Sequence, residues 1–132
     1  MEKYAKLIRI IDGKEKETIA LAFDSMSIGS SMKCRIFHHN PALADLQARI
    51  DRTTDDNTGN FLYHLVGQAD NHGTWISYTE SCWIEVARVQ LIHGDLIALG
   101  PKHEIQYRYE DPRQLTTEKA TECTGDKCPI NV

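Results

Sequence analysis

The feature that most constrains the fold of this chain is its division into short apolar runs that end at glycine, aspartate or proline. The clearest case is residues 90–100, where Gly94 and Asp95 separate two apolar runs and Gly100 ends the second. Gly94 can adopt positive φ, and the Asp95 carboxylate can accept hydrogen bonds from the backbone N–H groups of a turn. We therefore predict a hairpin here, within an antiparallel β-fold.

Other segments repeat this pattern of apolar and alternating residues between turn signals. Strands are predicted at residues 3–11, 18–23, 26–29, 46–50, 61–66, 74–76, 83–86 and 105–109. Asp12-Gly13 begins a polar turn that is expected to continue through Glu17 and to close a hairpin. The last of these strands alternates apolar and polar side chains and is expected to close the sheet. No segment before residue 110 has a sustained helical period with caps, although the spacing of Leu43, Leu46 and Ile50 leaves one helical turn open.

Two polar segments interrupt the strands. Residues 30–44 show no periodicity of apolar residues, which predicts a long loop without secondary structure. Such loops in compact domains are usually functional. Residues 51–60 are acidic, are rich in Thr, Asn and Gly, and predict a second loop. The fold class is therefore all-β, with a sandwich favoured over a barrel.

Length and charge limit the organisation and the class of partner. A chain of 132 residues is expected to form one domain, which we place at residues 1–110, followed by a polar tail at residues 111–132. A net charge of −4 gives no electrostatic footprint for nucleic acid, and no apolar run approaches the ~20 residues of a membrane-spanning helix. If Met1 is the native N-terminus, the absence of a secretory signal predicts a cytoplasmic protein.

Four short motifs, in this order, resemble those of the forkhead-associated (FHA) domain, an all-β sandwich that reads phosphothreonine peptides. They are Ser27-Ile28-Gly29, Gln47-Ala48-Arg49-Ile50, Gly73-Thr74-Trp75-Ile76 and the pattern of residues 91–100. The resemblance covers roughly residues 7–109. It implies an antiparallel FHA-type β-sandwich in which the loops at residues 30–44, 51–60 and 67–73 meet at one edge.

The positions that would read the phosphate depart from the family pattern. The arginine, the hydroxyl donor, the histidine and the asparagine of the family are replaced, and two carboxylates are introduced. The residues at these positions are Ser30, Ala44, Asp45, Gln47, Asp70 and His72. A phosphate dianion needs convergent cations and N–H or O–H donors, and a nearby carboxylate repels it. We therefore expect phosphothreonine peptides to bind weakly or not at all, with replacement donors in residues 30–44 as the alternative.

Two sets of residues that contain cysteine leave a second alternative open, a metal- or redox-responsive regulator. Cys34, His38 and His39 are ligand types that suit zinc or copper, but they are three donors and a closed site needs a fourth, which His72 could supply in the family fold. Cys123 and Cys128 flank a Gly-Asp turn and could form a reversible disulfide. A solvated loop and unpaired thiols are the favoured interpretations, so no cofactor or metal is assigned.

The sequence contains no Ser-His-Asp ordering, P-loop or glycine-rich nucleotide motif, so an enzyme is the weakest functional class. We expect a protein–protein interaction module, acting as an adaptor or regulatory subunit, whose partner binds through the loop edge; a homo-oligomer remains open. Phe37 is the expected apolar anchor. The predicted partner-binding residues are Ser30, Ser31, Lys33, Arg35, Phe37, His38, Asn71 and His72.

Overall fold

Strands account for all the regular structure in the computed structural model of this chain, which describes residues 4–68, 73–77 and 82–113. The strands in chain order are β1 (Lys6–Ile11), β2 (Lys14–Ala20), β3 (Ser25–Gly29), β4 (Ile36–Phe37), β5 (Ala48–Thr54), β6 (Phe61–Gly67), β7 (Thr74–Ser77), β8 (Ile84–Glu85), β9 (Arg88–Gln90), β10 (Leu96–Leu99) and β11 (Ile105–Glu110). No helix occurs in the described residues, so the helical turn left open by the sequence does not form. Nor does this part of the chain contain a helix long and apolar enough to cross a membrane.

The strands form two sheets. The first sheet has the order β2-β1-β11-β10-β7-β8, and the second sheet has the order β4-β3-β5-β6-β9. Neighbouring strands are antiparallel except β3 and β4, which pair in parallel. Side chains from both sheets share one apolar core. The predicted all-β antiparallel sandwich is confirmed.

The hairpin between β1 and β2 forms as predicted, with a shorter turn. Asp12 and Gly13 both have positive φ, 56° and 77°, which is the geometry of a two-residue type I′ turn. β2 begins directly at Lys14 and not after Glu17. Its charged side chains do not prevent pairing with β1, because they are exposed on an edge strand, where charge discourages association with other chains.

The turn at Gly94-Asp95 has the predicted chemistry but does not make a hairpin. Gly94 has a φ of 96°, and the Asp95 Oδ2 atom accepts a hydrogen bond from the Ile92 N–H group at 2.8 Å. The strands on either side belong to different sheets, so this turn carries the chain across the sandwich. The last strand also differs from expectation, because β11 lies between β1 and β10 in the interior of the first sheet.

Part of the predicted acidic loop at residues 51–60 is strand, because β5 continues to Thr54. Its polar side chains are paired: Arg49 donates to both carboxylate oxygens of Asp51 at 2.7 and 2.9 Å, and Arg52 donates to Asp24 at 2.7 Å. These hydrogen bonds compensate the charged side chains for the water they lose in the sheet. The polar residues 51–54 can therefore continue strand β5. The loop predicted at residues 30–44 likewise contains the short strand β4.

Three fully buried tyrosines occupy the core, and each hydroxyl has a polar partner. Tyr63 donates to the Leu21 carbonyl at 3.1 Å, and Tyr109 donates to the Asp111 carboxylate at 3.1 Å. The third, Tyr107, contacts a histidine of the other sheet, as described below. Buried hydroxyl groups without partners would cost about 1–3 kcal/mol each, so these contacts are needed for the core to form.

Candidate functional site

Two connections of the second sheet are hydrogen-bonded to each other at one end of the sandwich. They are residues 30–35, between β3 and β4, and residues 38–47, between β4 and β5. Gly73 of the other sheet lies against the second connection, because the Gln47 Nε2 atom donates to the Gly73 carbonyl at 3.2 Å. We call residues 30–47 together with Gly73 the loop edge.

The turn between β5 and β6 does not belong to this surface. β5 begins beside the loop edge at Ala48 and ends at Thr54, so residues 55–60 lie at the opposite end of the second sheet. The prediction that residues 51–60 meet the other two loops is wrong. Strand β5 runs away from the loop edge, and its direction is set by its pairing with β3 and β6, which the sequence does not show. Residues 69–72 of the third loop, with the predicted binding residues Asn71 and His72 and the carboxylate Asp70, lie outside the described residues.

Gln47 is the buried centre of the loop edge. Its Oε1 atom accepts a hydrogen bond from the Ala44 N–H group at 2.9 Å, and its Nε2 atom donates to Gly73. Its backbone N–H donates to the Ile28 carbonyl at 2.9 Å. The side-chain amide can both donate and accept, so one residue ties a surface connection to the two sheets.

The backbone carbonyl of Asp45 joins the two connections. It accepts hydrogen bonds from the Ser31 N–H group and from the Cys34 Sγ atom, both at 3.2 Å. A Cβ atom on Gly29 would lie 2.1 Å from this oxygen, so the close approach requires glycine. The Asp45 side chain itself is exposed, and no ion pair among the described residues involves it.

The polar groups of Ser30 are used inside the loop edge. Its N–H group donates to the Ala44 carbonyl at 3.0 Å, and its hydroxyl donates to the Leu43 carbonyl at 3.1 Å. A serine has only these two donors, so in this arrangement neither is available to a ligand. The Ser31 hydroxyl oxygen accepts a hydrogen bond from the Lys33 N–H group at 3.1 Å, which leaves the hydroxyl O–H group able to donate.

Arg35 and Phe37 are both exposed, with different surroundings. The Arg35 guanidinium lies 3.9 Å from the centre of the Phe23 ring, a cation–π contact. Phe37 is 42% exposed and its ring centre lies 6.3 Å from that of His39, whereas the adjacent Ile36 is buried. Phe37 is therefore accessible to a partner, as a predicted anchor must be, although its binding role remains a prediction.

His38 is directed into the sandwich. Its Nε2 atom lies 2.6 Å from the Tyr107 hydroxyl, and its Nδ1 atom lies 3.3 Å from the Arg9 Nη1 atom. Burial, together with the charge of Arg9, lowers the pKa of His38 to about 4. The ring is neutral at pH 7 and holds β4 against the first sheet, so its position favours a structural role over the predicted contact with a partner.

The structure gives no support to a metal site at Cys34, His38 and His39. Cys34 and His38 already have the partners named above, and no group of three or more metal-ligating side chains occurs among the described residues. Cys123 and Cys128, the predicted redox pair, lie outside the described residues.

The sandwich resembles solved structures of known domains. The MEK1 FHA domain superposes with a TM-score of 0.67 at 16% identity, over 82% of this chain and 89% of that chain. The chain has the forkhead-associated fold. The yeast Dun1 FHA domain, in complex with a doubly phosphorylated peptide derived from Rad53, superposes with a TM-score of 0.61 at 21% identity, over 81% and 73% of the two chains. The Slr1951 protein from Synechocystis sp. gives 0.64 at 20% identity, over 81% and 97%.

No family model matches the sequence, and no curated protein matches it. The likeness is therefore one of fold. The forkhead-associated fold predicted from the four motifs is confirmed.

Sequence reasoning did not select four residues that shape the loop edge. Arg9 and Tyr107 hold His38 from the other sheet, and no local pattern marks them. Met32 and Leu46 are exposed at the loop edge, 82% and 39% respectively. The sequence could have indicated Met32 and Leu46 as exposed, because both are large apolar residues within polar segments.

Proposed function

We propose that this chain is a protein–protein interaction module, an adaptor or regulatory subunit, that binds its partner at the loop edge without reading phosphate. Two kinds of observation support an interaction role: the fold, which the yeast Dun1 domain uses to bind a peptide, and the exposed loop edge on a rigid scaffold. The sequence contains no set of catalytic residues that would favour an enzyme.

The observation that carries phosphate independence is the use of both Ser30 donors by carbonyl groups of the same surface. Ala44 has no hydroxyl to replace them, and the exposed Asp45 carboxylate would repel a phosphate dianion. Of the two cations in residues 30–44, Lys33 is exposed and the Arg35 guanidinium lies over the Phe23 ring. A phosphate that used Ser30 would have to break these hydrogen bonds, and it would also meet the exposed Asp45 carboxylate.

A pull-down from the source cell tests the proposed surface. We expect the wild-type chain to capture a partner before and after phosphatase treatment of the lysate, and the double variant Arg35→Glu/Phe37→Ala to lose capture. Both side chains are exposed, so the variant should keep its melting temperature within a few degrees, since the lost cation–π contact contributes about 0.5–1 kcal/mol. Capture that survives the double variant would contradict the proposed surface.

Phosphothreonine binding is tested separately. In fluorescence polarisation with an oriented phosphopeptide library, we expect no difference between phosphorylated and dephosphorylated peptides. Micromolar binding that disappears on dephosphorylation would overturn phosphate independence and would indicate Lys33 or Arg35 as replacement donors.

A further inference from the structure

Three arginines lie on one line across the second sheet. Arg49 of β5 is paired with Ser27 of β3 on one side and with Val66 of β6 on the other. Val66 is in turn paired with Arg88 of β9. Arg35 directly precedes β4, and its N–H group donates to the Ser27 hydroxyl at 3.0 Å, so it continues the same line beyond β3. We call Arg35, Arg49 and Arg88 the arginine row.

The arginine row lies on the outer face of the second sheet, away from the core. Successive side chains in a strand point to opposite faces, so an arginine whose sequence neighbours are in the core points outward. Two of the three arginines are exposed, and the one on β5 is half-buried. The residues next to them that belong to the core or pack against it are Ile36, Ala48, Ile50 and Val89.

Asp51 is the carboxylate of this face, and its oxygens are already engaged. Arg49 donates to both of them, and the Ser25 hydroxyl donates to Oδ1 at 3.0 Å, whereas the Arg88 Nη1 atom is 3.9 Å from Oδ2. His64, paired with Asp51, is neutral at pH 7 because burial and the charge of Arg88 lower its pKa. One aspartate against three arginines leaves a surplus of two positive charges, on a chain with a net charge of −4.

The charged groups that border this face do not cancel the surplus. Lys33 and Asp45, exposed on the loop edge, contribute one charge of each sign. Arg52 and Asp24 form an ion pair with each other at 2.7 Å. The acidic turn at residues 55–60 begins six residues beyond the arginine row along β5, which is about 20 Å at 3.3 Å per residue. The outer face therefore keeps its local positive charge.

The spacing of the arginine row selects the kind of anion. Its members are each separated by one intervening strand, so their backbones are about 10 Å apart. Arg49 is held by Asp51 and Arg35 by the Phe23 ring, so the three guanidinium groups stay apart and do not converge on a single phosphate. Carboxylates distributed along a polypeptide can meet them separately. A long polyanion such as nucleic acid would also meet the rest of this acidic chain and be repelled.

We propose that the outer face of the second sheet binds an acidic segment of a partner protein, whose separate Asp and Glu side chains pair with the arginine row. This surface goes beyond the proposed function, because β5 and β9 lie outside the loop edge and only Arg35 belongs to both.

Selection from a displayed library of random, unphosphorylated peptides against the full 132-residue chain tests the inference. We expect enriched peptides with two or more Asp or Glu residues. In fluorescence polarisation, Arg35→Gln and Arg88→Gln should each weaken such a peptide roughly threefold or more, and the double variant roughly tenfold or more, because each change removes a cation from the contact. Binding should also weaken as salt rises from about 0.05 to 0.5 M.

Lys16→Gln is the matched control. Lys16 is exposed on β2, an edge strand of the other sheet, and this variant loses the same single charge. It should bind like the wild type, which separates the arginine row from the overall charge of the chain. Glutamine is chosen because it places no second negative charge beside Asp51, so all variants should keep the wild-type melting temperature within a few degrees.

Four results would overturn the inference. They are a library without enriched acidic peptides, binding that Arg88→Gln leaves unchanged, binding that Lys16→Gln weakens equally, and binding of phosphatidylserine vesicles or a DNA oligonucleotide through the arginine row in the absence of an acidic peptide. Sensitivity to Arg35→Gln alone would place the contact at the loop edge and would count as the second of these. The proposed function stands in each case, because it depends on capture of a partner by the loop edge in the pull-down.

Discussion

The Nε2 atom of His38 lies 2.6 Å from the hydroxyl of Tyr107, and this contact joins the residue directly after edge strand β4 to the interior strand β11 of the other sheet. The Arg9 guanidinium can only donate a hydrogen bond, so the His38 Nδ1 atom must accept it, and the ring proton must be on Nε2. The Tyr107 hydroxyl oxygen then accepts a hydrogen bond from the His38 Nε2–H group. This neutral tautomer satisfies both nitrogens of the ring without a charge in the interior.

The first prediction concerns the protonation of His38. Its pKa is lowered from 6.5 to about 4 in the folded chain, so the unfolded chain binds more protons between these values. The contribution of His38 to stability is therefore present above pH 6.5 and is lost as the pH falls towards 4. NMR titration should show the His38 ring protons shifting with a midpoint near pH 4. A midpoint near 6.5 would contradict the buried position of the ring.

Tyr107→Phe should lower the free energy of unfolding by about 1–3 kcal/mol, because it leaves the His38 N–H group without an acceptor in a partly buried site. Urea denaturation at pH 7.5 measures this difference. The double variant His38→Phe/Tyr107→Phe removes both polar groups and should recover part of the loss. Equal stability of Tyr107→Phe and the wild type would show that the hydrogen bond contributes nothing.

Asp95 should affect stability in the opposite direction over a similar pH range. Burial raises the pKa of Asp95 to about 7, although its hydrogen bond from the Ile92 N–H group partly opposes this rise. The folded chain holds the proton more tightly than the unfolded chain, so this contribution is full below about pH 4 and is lost as the pH rises through 7. As the pH rises from 4 to 7, the stability gained through His38 and the stability lost through Asp95 therefore offset each other in the wild type.

Asp95→Asn separates the two effects, because the asparagine Oδ1 atom can still accept from Ile92 but cannot ionise. Relative to the wild type, this variant should gain stability as the pH rises from 4 to 8. Thermal melts across this range provide the measurement. A difference between the variant and the wild type that does not change with pH would contradict the raised pKa.

Gln47→Ala should destabilise the chain and loosen the loop edge. It removes the acceptor of the partly buried Ala44 N–H group and the donor to the Gly73 carbonyl, and each group left without a partner costs about 1–3 kcal/mol. Gln90→Ala, at an exposed position of β9, is the matched control and should change stability by less than about 0.5 kcal/mol. Chemical denaturation measures the stability of both variants. Hydrogen exchange of the Ala44 backbone amide should be faster than in the wild type only in Gln47→Ala.

Gly29→Ala should also destabilise the loop edge. The added Cβ atom would lie 2.1 Å from the Asp45 carbonyl oxygen, so β3 and the connection that carries Leu46 must separate, at a cost of about 1–3 kcal/mol. Gly67→Ala provides a graded comparison, since its nearest backbone atom, the Val86 oxygen, would be 3.0 Å away. The Gly29 variant should melt at a lower temperature than the Gly67 variant, and the reverse order would contradict the tight packing of the Asp45 carbonyl against Gly29.

The parts of the site that the sequence predicted are those that depend on neighbouring residues. The polar and basic composition of residues 30–44 identified a segment that is largely loop, whereas the binding role of the exposed Phe37 stays a prediction. The orientation of His38 could not be predicted, because its two partners lie 29 and 69 residues away in the chain. The extent of β5 was also missed, since Asp51 and Arg52 are stabilised in a strand by partners that composition does not reveal.

The sequence by itself determined the local geometry and the fold class of this protein. Asp12-Gly13 and Gly94 specify turns because their backbones adopt positive φ at little cost, and alternation of apolar side chains specifies which face of each strand is buried. Only the tertiary structure decided which sheet each strand joins, so that the turn at Gly94 crosses the sandwich and residues 55–60 lie opposite the loop edge. The physical reason is that turn and strand preferences act over a few residues, whereas strand pairing and the packing of the two sheets depend on contacts between distant parts of the chain.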